Sequence, residues 1–196
     1  MNQRPIQTIT SSLLDELLLR AAQSARRRAI HCLHSGDWEH CHRMLNALTP
    51  GTYVRPHRHD SDHQSEAFVL LKGKLALLLF DEDGNVDFAE SRILSPTDGL
   101  FGMDIPPRLW HSLVALEDAV IYEVKGHPAG GYVQERDKNF APWSPEENSP
   151  ESGAYLRKME DAAGKFGVTT AKRKAAIQQS NDVHFTDTDS TDQRAL

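Results

Sequence analysis

Between Arg43 and Lys125 the chain alternates short apolar stretches with turn residues, and this alternation constrains its fold more than any other feature. The turns are rich in Gly, Pro and Asp, residue types that favour chain reversal. Eight strands are predicted, at residues 43–48, 53–58, 66–71, 75–80, 86–94, 100–105, 113–116 and 119–124. Eight short strands at this spacing predict an all-β sandwich or barrel.

A helix is predicted on each side of the strands. Ser12 can cap a helix with Asp15 in its first turn, and leucines and alanines follow at helical spacing. Before the second helix, the segment 149–151 supplies a cap, a proline at the first helical position and an acidic residue. The 196 residues suit one domain. The predicted parts are an N-terminal helix and connection (1–42), a β-barrel (43–145), a C-terminal helix (146–164) and a disordered polar tail (165–196).

Composition disfavours two classes of partner. The 22 Lys and Arg residues against 28 Asp and Glu give a formal charge of -6, which offers no broad attraction to nucleic acid or anionic membranes. The richest apolar run, residues 75–80, has the length of a strand and is too short to span a bilayer. Charged residues interrupt the N-terminal leucines, so we see no secretory leader and expect a cytoplasmic protein.

Three histidines and a glutamate have the spacing of a metal site. His57 and His59 lie two residues apart on a predicted strand, so their side chains point the same way. Glu66 opens the next predicted strand, and an antiparallel return would bring its carboxylate beside them. His111, at the start of a later strand, supplies a third imidazole. These residue types favour a divalent transition metal, with Fe, Mn, Ni and Zn all compatible.

The same residues resemble the first motif of the cupin superfamily, which is Gly, five residues, His-x-His, a short spacer, Glu, six residues and Gly. Gly51, His57, His59, Glu66 and Gly73 occupy its positions, with a spacer two or three residues longer before the glutamate. The resemblance implies a single-domain cupin, a jelly-roll β-barrel with one metal in its mouth.

The second cupin motif is represented by Pro106 and His111, with Arg108 in place of its glycine. The segments 51–59, 78–84, 110–111 and 140–143 are also similar to the WbuC family of cupin-fold metalloproteins, over residues 12–163. That similarity implies an association with bacterial O-antigen and related polysaccharide biosynthesis.

The fourth metal ligand has competitors in the long spacer. Glu66 is the expected ligand because the six-residue return to Gly73 is intact, but Asp60, Asp62 and His63 lie in the insertion and offer alternatives.

Three further residues are candidates for catalysis. Tyr53 and Arg55 share the parity of His57 on their predicted strand and are expected to project into the barrel. Arg55 would suit a carboxylate or phosphate on a ligand, or else form a structural ion pair. Glu123 lies in an apolar strand, so it is either that structural partner or a general base with a raised pKa.

A second concentration of histidines and cysteines could imitate a zinc site. Its members are His31, Cys32, His34, His40, Cys41 and His42. Eight residues separate the two cysteines, rather than the two to four of a zinc knuckle, which favours ordinary loop and strand-edge residues and half-buried free thiols. His127 and His184 are expected to be exposed.

Two classes of function fit these features. One is a metal-dependent enzyme, of the isomerase, epimerase or oxygenase type, acting on a small polar substrate such as a sugar or nucleotide sugar. The other is a non-catalytic cupin that holds a metal and ligand as a sensor or as a stabilising partner of biosynthetic proteins. A homodimer is a further expectation, because the leucine face of the first helix can serve its own barrel or that of a neighbour.

Overall fold

The computed structural model describes residues 5–127 and 131–166. In chain order its elements are α1 (Ser11–Gln23), β1 (Arg28–Cys32), β2 (Cys41–Leu48), β3 (His57–Arg58), β4 (Glu66–Lys72), β5 (Leu75–Phe80), β6 (Arg92–Leu94), a 3₁₀ turn (Pro96–Asp98), β7 (Gly102–Ile105), β8 (Trp110–Ala115), β9 (Ala119–Gly126), α2 (Gln134–Asp137), β10 (Asn139–Phe140) and α3 (152–166). The predicted tail lies outside the described residues from residue 167 onward, and so does His184. Within the described ranges, no helix has both the length and the apolar character needed to cross a membrane.

The strands form two antiparallel sheets. One sheet has the order β1-β2-β9-β4-β7, and the other has the order β10-β3-β8-β5-β6. Without the edge strands β1 and β10, the eight remaining strands have the arrangement of a double-sheet jelly roll. The core between the sheets contains Phe68 and Ile121 from one sheet and Leu77 and Leu113 from the other. The prediction of an all-β cupin fold is therefore confirmed, with its strands divided between two facing sheets.

The helices cover the outer faces of the sheets. In α1, Leu17 and Ala21 are buried against Leu45 and Val120 of β2 and β9, so the leucine face packs on its own domain. Thr10 rather than Ser12 caps this helix, with its Oγ1 accepting a hydrogen bond from the main chain of the first turn. The helix α3 packs its apolar side on the opposite sheet.

Several strands differ in extent from their predictions. The predicted strand 53–58 is a strand only at β3, since Pro56 has no N–H to donate to a ladder. The predicted strand 86–94 is reduced to β6. An additional edge strand, β1, pairs with β2 through residues that we expected to form a connection.

Candidate metal centre

The structure brings the four predicted metal ligands together at one end of the jelly roll. β3 lies beside β8, with His57 directly opposite His111, and His59 follows β3. Glu66 begins β4 in the other sheet, so the cluster lies where the two sheets meet. All four side chains are buried, and one donor atom from each lies within 4.8 Å of the others.

One oxygen of Glu66 faces the imidazoles directly. Its Oε2 lies 3.1 Å from Nε2 of His111 and 3.4 Å from Nε2 of His59. The His57 and His111 ring centroids are 4.4 Å apart. Three ring nitrogens and one carboxylate oxygen therefore converge on a common point, which is the donor set that imidazole-preferring divalent metals accept.

The polar side chains of the long spacer before Glu66 do not join the cluster. Asp60 forms an ion pair of 2.7 Å with Arg58, and Asp62 forms one of 2.8 Å with Arg108. His63 is exposed. These contacts leave Glu66 as the carboxylate of the cluster.

Each imidazole of the cluster is oriented by the main chain. A carbonyl oxygen can only accept a hydrogen bond, so a ring nitrogen in contact with one carries the proton. The Nδ1 atoms lie 2.9 Å from the carbonyl of Arg55 for His57, 2.6 Å from that of Asp137 for His59, and 2.9 Å from that of Leu109 for His111. In the neutral rings Nε2 therefore keeps its lone pair for a metal, and such main-chain partners are typical of metal-binding histidines. The residues present thus fit a divalent metal.

A lysine joins this cluster to a second buried carboxylate. Nζ of Lys125 lies 3.2 Å from Oε1 of Glu66 and 3.5 Å from Oε1 of Glu123. Asn46 donates a further hydrogen bond to Glu123. Of the two roles expected for Glu123, the ion pair with Arg55 is not formed, because Lys125 is its partner.

Burial and charge separate the pKa values of these groups. Burial would raise the pKa of Glu66, but the positive charge of the Lys125 ammonium holds it well below its usual value. Burial and the nearby charge of Glu66 raise the pKa of Glu123 to about 8. Burial lowers the pKa of the His57 imidazole well below its usual value. At neutral pH the cluster therefore combines an ionised carboxylate with an uncharged imidazole.

A cavity of about 400 Å³, which we call the central cavity, opens onto the cluster. Its lining includes His57, Glu66 and His111, together with Glu123 and Lys138. Burial, followed by the charge of the nearby lysine, lowers the pKa of Lys138 to about 8. The volume lies within the range of small-molecule sites, and the lining is rich in charge.

Tyr53 and Arg55 lie away from this cavity. The Tyr53 hydroxyl donates to the carbonyl of Pro145 over 2.8 Å, and Nε of Arg55 lies 3.1 Å from the Ser144 hydroxyl. Among the described residues, neither belongs to the cavity lining, whereas Val54 between them does. The expected orientation is therefore corrected. Residues 53–56 are not part of a strand, so the alternation of side chains does not extend back from β3. A catalytic role for either residue stays a prediction that these contacts do not support.

Three histidines outside the cluster also depart from expectation. His34, His42 and His127 are only 8%, 4% and 4% exposed, although we expected loop or surface positions. The rings of His34 and His42 are stacked at 3.9 Å. Cys32 and Cys41 are exposed free thiols rather than half-buried ones. The sequence signal for this burial is the density of histidines around β2, which the cysteine spacing does not capture.

A family model matches part of this chain. The family described as "Domain of unknown function (DUF6016)" matches residues 9–91, a span that includes three of the four clustered ligands but not His111. The expected WbuC family is not confirmed by this match. No curated protein matches.

Solved structures are similar at low sequence identity. A protein from Shewanella oneidensis is 10% identical with a TM-score of 0.44, over 57% of this chain and 72% of that one. A cupin superfamily protein from Desulfitobacterium hafniense is 12% identical with a TM-score of 0.40, over 52% and 78%. Oxalate decarboxylase from Bacillus subtilis is 21% identical with a TM-score of 0.39, over 53% and 24%. The cupin fold of this chain is recognised from its own strand order, and its buried His and Glu side chains fit one divalent metal.

Proposed function

We propose that this protein is a metal-dependent enzyme that acts on a small polar substrate, such as a sugar or nucleotide sugar. The observation that carries the proposal is the convergence of three imidazole nitrogens and one carboxylate oxygen at one end of a cavity of about 400 Å³. Four protein ligands leave two adjacent positions of an octahedral ion for substrate or water. A structural metal site would instead be closed by the protein.

The residues around the cluster have separable roles. Fe, Mn, Ni or Zn suits the donors, and such an ion supplies Lewis acidity at a substrate oxygen or, if redox-active, a route to oxygen chemistry. Lys125 holds Oε1 of Glu66, which leaves Oε2 to face the imidazoles. The main-chain carbonyls fix the three rings. The metal ligands are therefore held in place before a substrate binds.

Glu123 is the cavity group best suited to move a proton. It is buried, lines the central cavity and has a pKa raised to about 8. At neutral pH it holds a proton that it can donate to a substrate oxygen, and its conjugate base can remove one. Isomerisation and epimerisation both need such a group, so these reactions fit the cavity better than oxygenation does.

The polarity of the cavity supports a substrate with several polar groups. Arg28, Lys125 and Lys138 contribute positive charge to the lining, and Asp37 and Glu123 contribute carboxyl groups. A sugar or nucleotide sugar offers hydroxyl and phosphate groups to such a surface. The resemblance to the WbuC family supports polysaccharide biosynthesis as the pathway that we propose.

The test is turnover by metal-loaded protein incubated with a panel of nucleotide sugars and sugar acids. We expect conversion of at least one substrate, lost on chelation and restored by metal. The double variant His57→Ala, His111→Ala should be inactive, while the exposed His63→Ala should retain activity. Glu123→Gln should keep the metal and lose turnover. Stoichiometric binding of a substrate without conversion would instead establish a non-catalytic ligand-binding cupin.

A further inference from the structure

A second histidine cluster lies at another part of the central cavity. It contains His34 and Asp37 from the β1–β2 connection, His42 in β2, and His127 just after β9. One donor atom from each of His34, Asp37 and His42 lies within 4.8 Å of the others. The His127 ring centroid lies 4.0 Å from that of His42, in an edge arrangement. The chain thus gathers three imidazoles and a carboxylate a second time, from segments that are distant in sequence.

Several ring nitrogens of the second histidine cluster are buried without a hydrogen-bond partner. Nε2 of His42 is one, and both ring nitrogens of His127 are others. Both side chains are 4% exposed. Buried polar groups are nearly always hydrogen-bonded, so three unpartnered nitrogens in two adjacent rings point to a ligand. Imidazole nitrogens of this kind are the usual donors to divalent transition metals.

We propose that His34, Asp37 and His42 bind a divalent cation, with His127 as the fourth donor. Zn²⁺ is the ion that best suits three imidazoles and one carboxylate in a closed tetrahedral site. Donors bound to Zn²⁺ at 2.0–2.1 Å stand about 3.3 Å apart, so the donor atoms of His34, Asp37 and His42 must close by up to about 1.5 Å. The Asp37 side chain is exposed and can supply part of this movement, and the stacked rings of His34 and His42 must tilt towards each other.

The strand register makes this site independent of the first cluster. His42 lies opposite Lys125, and Lys125 lies opposite Glu66, so two strand spacings, about 10 Å, separate His42 from Glu66. Paired catalytic metals lie about 3.5–4 Å apart, so the two sites do not form a bridged pair. The ammonium of Lys125 stands between them and is already paired with Glu66 and Glu123.

The position of the site indicates what a bound cation would do. The main chain already joins the β1–β2 connection to the segment after β9, through bonds of 2.8 Å from His127 N to the His40 carbonyl and 2.7 Å from Tyr132 N to the Asp37 carbonyl. A cation held by His42, Asp37 and His127 would cross-link the same two segments. Because Asp37 and His42 line the central cavity, the cross-link would fix the shape of its wall.

The test is the zinc content of the full chain, measured by elemental analysis after loading with Zn²⁺ and desalting. We expect about two ions per chain in the wild type and about one in the double variant His34→Ala, His42→Ala. About one ion should also remain in His57→Ala, His111→Ala. The exposed neighbour His40→Ala is the matched control and should bind as the wild type does.

The outcomes separate this site from the proposed catalytic one. A wild type with about one ion, lost only on removal of His34 and His42, would support the second site and overturn the first. A full wild-type complement in His34→Ala, His42→Ala would overturn the second site, and so would complete loss of zinc from His57→Ala, His111→Ala. Should the double variant fail to fold, Asp37→Asn replaces it, because the side chain is exposed. Competition with a chelating dye should show that the weaker of the two zinc affinities is reduced by at least about tenfold in Asp37→Asn relative to the wild type. An unchanged affinity would contradict the proposal.

Discussion

The main-chain oxygen of Asp137 accepts a hydrogen bond of 2.6 Å from Nδ1 of His59, across 78 residues of sequence. The position of that oxygen depends on the short helix α2. The Asp137 carboxylate, which is 1% exposed as a side chain, accepts a hydrogen bond of 2.6 Å from the N–H of Val133 and forms an ion pair of 2.6 Å with Arg136. A charged side chain thus holds the turn whose backbone orients a candidate metal ligand.

The variant Asp137→Asn should weaken metal binding without touching a ligand. The amide cannot reproduce both charge-assisted bonds, so α2 loosens and His59 loses its fixed orientation. We expect about a tenfold to hundredfold loss of metal affinity and a fall of about 1–3 kcal/mol in the free energy of unfolding. Chelator competition and urea unfolding measure the two effects. The exposed neighbour Glu135→Gln is the control, and equal behaviour of the two variants would refute the positioning role.

Replacing Lys125 by Met should destabilise the metal-free protein strongly. The change leaves the ionised Glu66 carboxylate, and the Glu123 carboxyl group beside it, without their cation, and breaking such a buried pair costs about 3–5 kcal/mol. A divalent metal beside Glu66 restores positive charge, so added metal should raise the melting temperature of the variant more than that of the wild type. Thermal unfolding with and without metal measures this difference.

The control for Lys125 is Lys72→Met, which removes an exposed ion pair with Asp15. Exposed pairs contribute at most about 1 kcal/mol, so this variant should unfold near the wild-type temperature with or without metal. If added metal raised the melting temperature of Lys125→Met no more than that of Lys72→Met, Lys125 would have no electrostatic link to the metal centre.

Much of the fold follows from local pattern in the sequence. The strand predicted at residues 75–80 has the observed bounds of β5, because an apolar run between turn residues needs no tertiary information to be recognised. The edge strand β1 escaped prediction because Arg28–Cys32 has arginine, histidine and cysteine among its five residues and becomes a strand by pairing with β2. Its formation depends on a partner that local pattern does not include.

Local sequence pattern also predicts only part of the candidate site. The spacing of His57, His59 and Glu66 predicted their meeting, because strand alternation and an antiparallel return are local rules. The contribution of Lys125 depends on its register opposite Glu66 across two strands that lie far apart in sequence. His127 is buried through packing against His42, and no pattern in its own segment indicated this.

Acidification should destabilise the metal-free protein between pH 6.5 and pH 4. Burial, helped by the neighbouring His42, lowers the pKa of His127 to about 4, whereas an unfolded histidine titrates near 6.5. Between these values the unfolded chain binds more protons, so the stability present above pH 6.5 is lost as the pH falls towards 4. His57, whose pKa is also lowered by burial, acts in the same direction. Urea midpoints at pH 7, 6 and 5 should fall less in His127→Gln than in the wild type, and parallel curves would exclude a contribution from His127.

Gly73 should tolerate alanine far less well than Gly99, although both have φ of +82°. At Gly99 an added Cβ meets no atom within 4 Å, so alanine there costs only the strain of left-handed backbone, about 1–2 kcal/mol. At Gly73 the Cβ would lie 2.0 Å from the main-chain oxygen of Asp118, so the turn before β9 must move. We expect a further loss of at least about 1–3 kcal/mol in the free energy of unfolding, measured in urea. Equal losses of unfolding free energy in the two variants would show that the turn before β9 moves without further cost. A larger loss at Gly73 would explain the glycine at the end of the first cupin motif by contact between two turns rather than by the metal.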